Sequence, residues 1–345
     1  MLRSPSLIAA AVAAAIATAA AGTCRAADAR VELEISSEPG FPIADAREWT
    51  EMLSKAGFST VRIRGGKAGD TLAIQTRGSE AAPSYHVTGA LTADGQLLLL
   101  KGRFGIGDRA KIEAWLAKLR DGGKEAVTIK PEAFGLLPKQ LVAVHEALAV
   151  PVAFSTKDKK PRDVAKQIAD TLSLKFISDT AGQTALAAGE PMADELQGLS
   201  AGTALAATLR PLGLVLVPEK AGGEVRLRIE GSRSAKENWP VGWPAKSNPG
   251  TTLPALFKFL DIEIEKTPLL EAVTAIGGRL KVPLLIDHNS VARKSIDLNT
   301  KVDLAKGNMH YGKALDQLLI QAKLKFEVRL DEADKPFLWI TAGGP

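Results

Sequence analysis

One unit of sequence occurs twice in this chain, and the repetition constrains the fold more than composition does. Ala314, Leu315, Leu318, Leu319 and Ala322 follow the i, i+1, i+4, i+5, i+8 spacing of a helix stripe. Leu324, Phe326, Val328 and Leu330 then alternate with Lys325, Glu327, Arg329 and Asp331. A helical period passing directly into a strand period predicts an amphipathic helix that runs into a half-buried strand. The unit stands a first time at 201–216 without a gap. Gly202 matches Gly312, Ala204-Leu205 matches Ala314-Leu315, Leu209 matches Leu319, and Leu214 and Leu216 match Leu324 and Phe326. An internal repeat of this kind predicts modules built alike.

The 345 residues are 46% hydrophobic and 24% charged, enough apolar material for several small domains and without a bias to disorder. Residues 1–27 stand apart. Met1-Leu2-Arg3 carries a charge, Leu7 to Ala21 is a short apolar run, and small residues follow. That order is a secretory signal peptide, too short in its core for a membrane span, so cleavage is expected between Ala20 and Ala27, with a periplasmic or extracellular location. No later run reaches the length of a transmembrane helix. Cys24 is the single cysteine, so the mature chain makes no internal disulfide. Ala21-Gly22-Thr23-Cys24 departs from the Leu-(Ala/Ser)-(Gly/Ala)-Cys pattern of a lipoprotein signal, and a lipid anchor at Cys24 is not expected. The formal net charge is +5, and it shrinks when Arg3 and Arg25 leave with the signal. A balance that small implies no strongly acidic partner and no nucleic acid.

Taken in order, residues 28–125 read as an α+β domain. Strands are expected at Val31–Ser36, Thr60–Arg64, Thr71–Gln75 and Tyr85–Thr92, with the last turned back by Asp94-Gly95 into Gln96–Lys101. Helices are expected at Ala44–Ala56 and from Arg109 to Leu119, the latter capped by Asp108 and ended by Asp121-Gly122-Gly123. Residues 126–230 form a second domain. Helices fall at Pro138–Leu148, from Pro161, and at Gly202–Leu212; strands fall at Val152–Ser155, Leu174–Ser178, Leu214–Val217 and Val225–Ile229, around an Ala- and Gly-rich loop. Residues 231–255 hold Asn238-Trp239-Pro240-Val241-Gly242-Trp243-Pro244 and Pro249-Gly250, which cannot continue a helix or a central strand and read as a linker.

The third domain, 256–345, repeats the second in the order β-α-β-β-α-β. Leu260, Ile262 and Ile264 alternate in its first strand, Thr267-Pro268 opens a helix, Val282–Ile286 and Ser295–Leu298 are strands, and the repeated helix and strand precede Phe337–Thr341. Lys266-Thr267-Pro268-Leu269-Leu270-Glu271-Ala272-Val273, Leu284-Leu285-Ile286-Asp287, Gly312-Lys313-Ala314-Leu315-Asp316-Gln317-Leu318-Leu319, Leu324-Lys325-Phe326 and Phe337-Leu338-Trp339-Ile340 resemble the short N-terminal domain shared by secretins and TonB-dependent receptors. The resemblance covers 256–341 and, more loosely, 151–230. It implies small α+β modules of two helices on small sheets, used for docking or signalling beside an outer-membrane pore, and it brings no catalytic residue with it. Nothing after Thr341 has the length of a barrel.

Chemistry-bearing patterns are few. Gly105-Ile106-Gly107-Asp108-Arg109-Ala110 has the spacing of a dinucleotide loop, but the strand before it returns from a hairpin, and a glycine turn into a helix cap accounts for it. Gly66-Lys67-Ala68-Gly69 has the form of a nucleic-acid clamp but joins two strands instead of two helices. His86, His145, His288 and His310 are scattered without ligand spacing, so neither a metal nor another cofactor is expected; His310 reads as a helix-entry residue. No Gly-x-Ser-x-Gly or Ser-x-x-Lys occurs. Trp239 and Trp243, each followed by Pro, are the candidate partner-binding residues; they either meet a partner or fold back on a neighbouring domain. The expectation is an exported, non-enzymatic envelope protein that binds a protein partner, such as an outer-membrane pore or transport component, or a copy of itself. The reading from another class is a secreted hydrolase with its site in residues 28–125.

Overall fold

The computed structural model describes residues 29–42, 44–79, 82–221 and 223–343; the signal segment and Cys24 lie outside the described residues. The fold is α+β, and its contacts divide the chain into two compact units that meet between Asp121 and Gly122. The first contains β1 (Arg30–Ser37), α1 (Asp45–Lys55), β2 (Thr60–Gly65), β3 (Ala73–Ser79), β4 (Ala82–Leu91), β5 (Leu97–Leu99), β6 (Gly102–Phe104) and the start of α2 (Arg109–Thr128). β1 is central and runs parallel to both β2 and β4, while β3 and then β5 pair antiparallel with successive parts of β4. Val31, Leu33 and Ile35 of β1 and Tyr85, Val87 and Leu91 of β4 are buried, as are Trp49 and Leu53 of α1 and Ile112, Leu116 and Leu119 of α2. Helix and strand periods thus put one face of each element inside. The chain turns at Asp94-Gly95, with Gly95 at φ 74° and the Thr92 N–H donating to the Gln96 carbonyl at 2.9 Å. α2 is interrupted at Gly123 (φ 65°, ψ −165°) and resumes as a helical turn through Thr128.

The second unit holds α3 (Pro138–Leu148), α4 (Pro161–Ala169), β7 (Lys175–Ser178), α5 (Thr180–Ala188), α6 (Ala201–Leu209), β8 (Leu214–Ala221) and β9 (Glu224–Gly231). It continues through β10 (Trp243–Pro244), α7 (Pro249–Thr252), β11 (Phe259–Pro268), α8 (Leu269–Leu280), β12 (Leu284–Ile286), α9 (His288–Arg293), β13 (Lys301–His310), α10 (Tyr311–Gln321), β14 (Leu324–Leu330) and β15 (Pro336–Ala342). The repeat is visible in its topology. The sheet order β7-β9-β8 is matched by β12-β15-β14. In each, the first strand runs parallel to the last, which is antiparallel to the strand after the repeated helix. Ala204, Leu205 and Leu209 of α6 and Ala314, Leu315 and Leu319 of α10 are all buried at the matched positions. The second copy adds a two-stranded sheet of β11 and β13.

The two copies share their cores. Phe337, Leu338, Trp339 and Ile340 of β15 are all buried, the continuous apolar run of a strand covered on both faces. Phe337 and Trp339, with Leu285 of β12, join the core built on α4, α6, β8 and β9. Leu338 and Ile340, with Ile286, join the core built on α8 and α10. Residues 231–255, which read as a linker, are folded into the same unit: Trp239 and Val241 enter the first of these cores and Leu253 the second.

Several local expectations differ from the structure. Ser295–Leu298 is not a strand; Ser295 sits at φ 50° after α9, and the strand partner of β11 is β13, where Val302 and Leu304 are the inward residues. Val152–Ser155 forms no strand either, and only an isolated bridge joins Pro151 to Ser200. Part of the Ala- and Gly-rich stretch is helical as α5, capped by the Asp179 carboxylate, which accepts from the Gly182 N–H at 2.7 Å.

Candidate functional site

β14 is paired along its whole length on one side by β15, but on its other side β10 reaches only Arg329 and Leu330. Among the described residues no strand covers Leu324 to Glu327 on that side. An uncovered strand edge offers backbone donors and acceptors to an added strand. Beside it lies a groove of about 530 Å³ lined by Phe326 and Val328 of β14, Ala245 and Pro249 of the segment after β10, and Leu256 and Phe257. His310 and Gly312, where β13 passes into α10, close its other wall.

The rim of this groove is apolar and exposed. Phe259 is 68% exposed and Phe257 48% exposed. Leu260, Ile262 and Ile264 turn inward along β11, so the strand period sends Phe259 outward. The His310 ring stands between the two phenyl rings, 5.3 Å from that of Phe257 and 6.0 Å from that of Phe259. It is held there because its Nδ1 accepts from the Lys313 N–H at 3.0 Å, capping α10. Ile320, 72% exposed, lies one turn beyond Asp316 of the groove wall on the same helix face. Scattered exposed apolar side chains are ordinary, whereas here several cluster beside an uncovered strand edge.

Trp239 and Trp243 are placed differently. Trp239 is 3% exposed and its indole N–H donates to Oε1 of Glu332 at 2.6 Å. It stacks on Phe134, meets Trp243 edge-on at 5.3 Å, and Trp243 in turn lies 5.2 Å from the His145 ring. Of the two readings open in the sequence, the structure shows Trp239 folded back as core; Trp243 is half-buried in β10. On its polar side Trp239 meets the β14–β15 turn, Asp331 to Lys335. Two of the turn's three acids, Asp331 and Glu332, are buried, while Asp334 is exposed. Asp331 accepts from the Ser200 N–H at 2.9 Å, and Glu332 accepts from the Thr203 N–H at 3.1 Å and hydroxyl at 2.8 Å. Two carboxylates therefore occupy the N-terminus of α6, where unpaired N–H groups and the helix dipole favour negative charge. A side chain at Gly202 would collide with the Glu332 carboxylate, which explains glycine there better than the backbone does.

The four histidines occupy separate surroundings. His86 faces Glu32 and Glu34 at 3.7 and 3.5 Å, and the Arg64 guanidinium beside Asp70 holds that carboxyl well below its usual range, at about 2. His288 is 3.1 Å from Asp194, whose carboxylate raises the imidazole above its ordinary value. Among the described residues no group of three or more His, Cys, Asp or Glu is placed to hold a metal ion. In the Gly105 turn the Asp108 carboxylate accepts from the Gly105 N–H at 2.9 Å. That amide is already taken by a negative group, so the turn does not present a phosphate cradle. Comparison of the chain with family models, curated proteins and solved structures gives no match.

Proposed function

We propose that this chain is an exported, non-enzymatic envelope protein that docks a partner through its second unit, and that the partner adds a segment along the uncovered edge of β14. The carrying observation is the coincidence of that edge with the exposed Phe257 and Phe259 gathered around the half-buried His310. The modules resemble the short N-terminal domain of secretins and TonB-dependent receptors, which makes an outer-membrane pore or transport component the partner class. The signal-like segment at Leu7–Ala21 supplies the route to that compartment.

Capture from envelope extracts tests this. The full chain should recover a pore or transport component, and replacing Phe257 and Phe259 together by Asp should weaken recovery by about 2 kcal/mol, roughly thirtyfold, as for buried aromatic anchors. Both side chains are exposed, so the variant keeps the far-UV circular dichroism of the parent. Equal recovery by parent and variant would remove the β14 edge from the reading. Hydrolysis of ester or amide substrates by the parent, lost on His86→Gln, would replace it with the secreted-hydrolase reading. Recovery of Met1 intact on a cytosolic protein by N-terminal sequencing would remove the envelope role.

A further inference from the structure

A second concavity, apart from the β14 edge, lies between the two copies of the repeat. Its volume is about 570 Å³, within the range of small-molecule sites. Its floor is the face of β14 and β15 that carries Lys325, Glu327, Arg329, Trp339 and Thr341, its walls are the end of α6, β8 and the segment through Trp239, and the end of α9 closes it. Five cationic side chains line it, Arg210, Arg293, Lys294, Lys325 and Arg329, against two carboxylates, Asp287 and Glu327. The cleft thus holds an excess of three positive charges, while the entire chain has +5. Positive charge that is nearly balanced over the molecule is concentrated in one concave place, which focuses the local potential.

The two arginines are fixed in advance. The Arg210 and Arg329 guanidiniums lie over the Trp339 ring at 5.8 and 5.1 Å from its centroid. Arg210 is gripped by both oxygens of the buried Asp287, at 2.9 and 2.8 Å, and Arg329 by the Val241 carbonyl at 3.1 Å and by Glu327. These bonds leave each guanidinium with N–H donors that have no protein partner, since the group carries about five. Arg293 uses one N–H on the Asn289 carbonyl and Lys294 one on the Gly343 carbonyl, and both side chains stand at the exposed mouth. Donors held by packing lose little freedom on binding, and planar guanidiniums match the oxygens of phosphate and carboxylate groups.

We infer that this inter-repeat cleft binds a small molecule bearing two or more clustered anionic groups, either a phosphorylated compound or a polycarboxylate. The inference does not rest on partner docking, although the cleft shares β14 with the docking edge and Glu327 lines both concavities. Titration calorimetry on the full chain at low salt, with inorganic pyrophosphate and with citrate as probes, tests it. Saturable binding of either probe, weakening steeply as salt is added, is expected; which probe binds more tightly identifies the phosphate or carboxylate source. The double substitution Arg293→Glu with Lys294→Glu, at exposed positions outside the buried bonds, should reduce affinity at least tenfold. The matched reversal Lys301→Glu with Lys306→Glu on β13 should leave it within twofold. Absence of binding by both probes, unchanged affinity in the first variant, or equal loss in the second would overturn the assignment. Because Phe257 and Phe259 do not line this cleft, the Asp variants at those positions should bind the probe normally whether or not they capture a partner.

Discussion

Glu332 shows how much one side chain decides here. Its carboxylate receives the Trp239 indole, the Thr203 amide and the Thr203 hydroxyl, so removing it strands several buried donors. Glu332→Ala should cost about 1–3 kcal/mol for the groups left unpaired, and Trp239→Ala about 3–5 kcal/mol for the cavity; urea unfolding of each measures both. A loss for Trp239→Ala below that of an exposed substitution would contradict its placement in the core. The titration has a defined sign. Burial pushes the Glu332 carboxyl above its ordinary value of 4.5, and Asp194 raises His288 above 6.5. A group whose folded-state value is raised gives its full stabilisation below the unfolded value and loses it as pH rises through the folded one. The melting temperature should therefore fall as pH rises above about 4.5 through the Glu332 range and again above about 6.5 through the His288 range. Glu332→Gln and His288→Gln should each flatten their own part of the profile, and a parent profile that rises across both windows would be inconsistent with these environments.

Among the elements, α6 and α10 are matched in sequence and burial, yet they are not equivalent in what they hold. Leu209 and Leu319 are both buried, and each change to Ala should cost about 2–5 kcal/mol. Modules that stand apart would each loosen alone, as the sequence repeat suggests. Leu209, however, belongs to the core that also receives Phe337 and Trp339, so hydrogen exchange in Leu209→Ala should quicken in β15 as well as in β8 and β9. Protection loss confined to 126–230 would show that the shared strand does not couple the copies. The edge of β14 carries its own expectation. Val328 points its carbonyl towards Ala245, which donates to it at 3.4 Å, and backbone groups alternate sides along a strand. The Phe326 amide therefore faces the uncovered side. It should exchange quickly in the isolated chain and slow when the partner binds.

At the scale of the molecule, hydrophobic period located most helices and strands, because burial on one face is written into local spacing. Pro138 and Pro161 marked helix starts, Asp94-Gly95 marked a hairpin, and the repeat at 201–216 and 312–326 announced two sheets of one topology. β13 was obscured because Gly307 and Asn308 dilute its alternation. The 231–255 stretch reads as a linker because its prolines exclude regular pairing, although they do not exclude burial of Trp239 among them. Net charge is equally local in its meaning: a small total argues against an acidic partner, while five cations from β14 and from the C-terminal ends of α6 and α9 meet in one cleft. By itself the sequence determined most of the elements, their repetition and the α+β class, since these depend on residues within a few positions of one another. Tertiary structure alone decided that β15 serves two cores, that Asp331 and Glu332 cap a helix some 130 residues away, and which strand edge stays uncovered. Those outcomes depend on which distant surfaces exclude water from one another, and no local spacing records that.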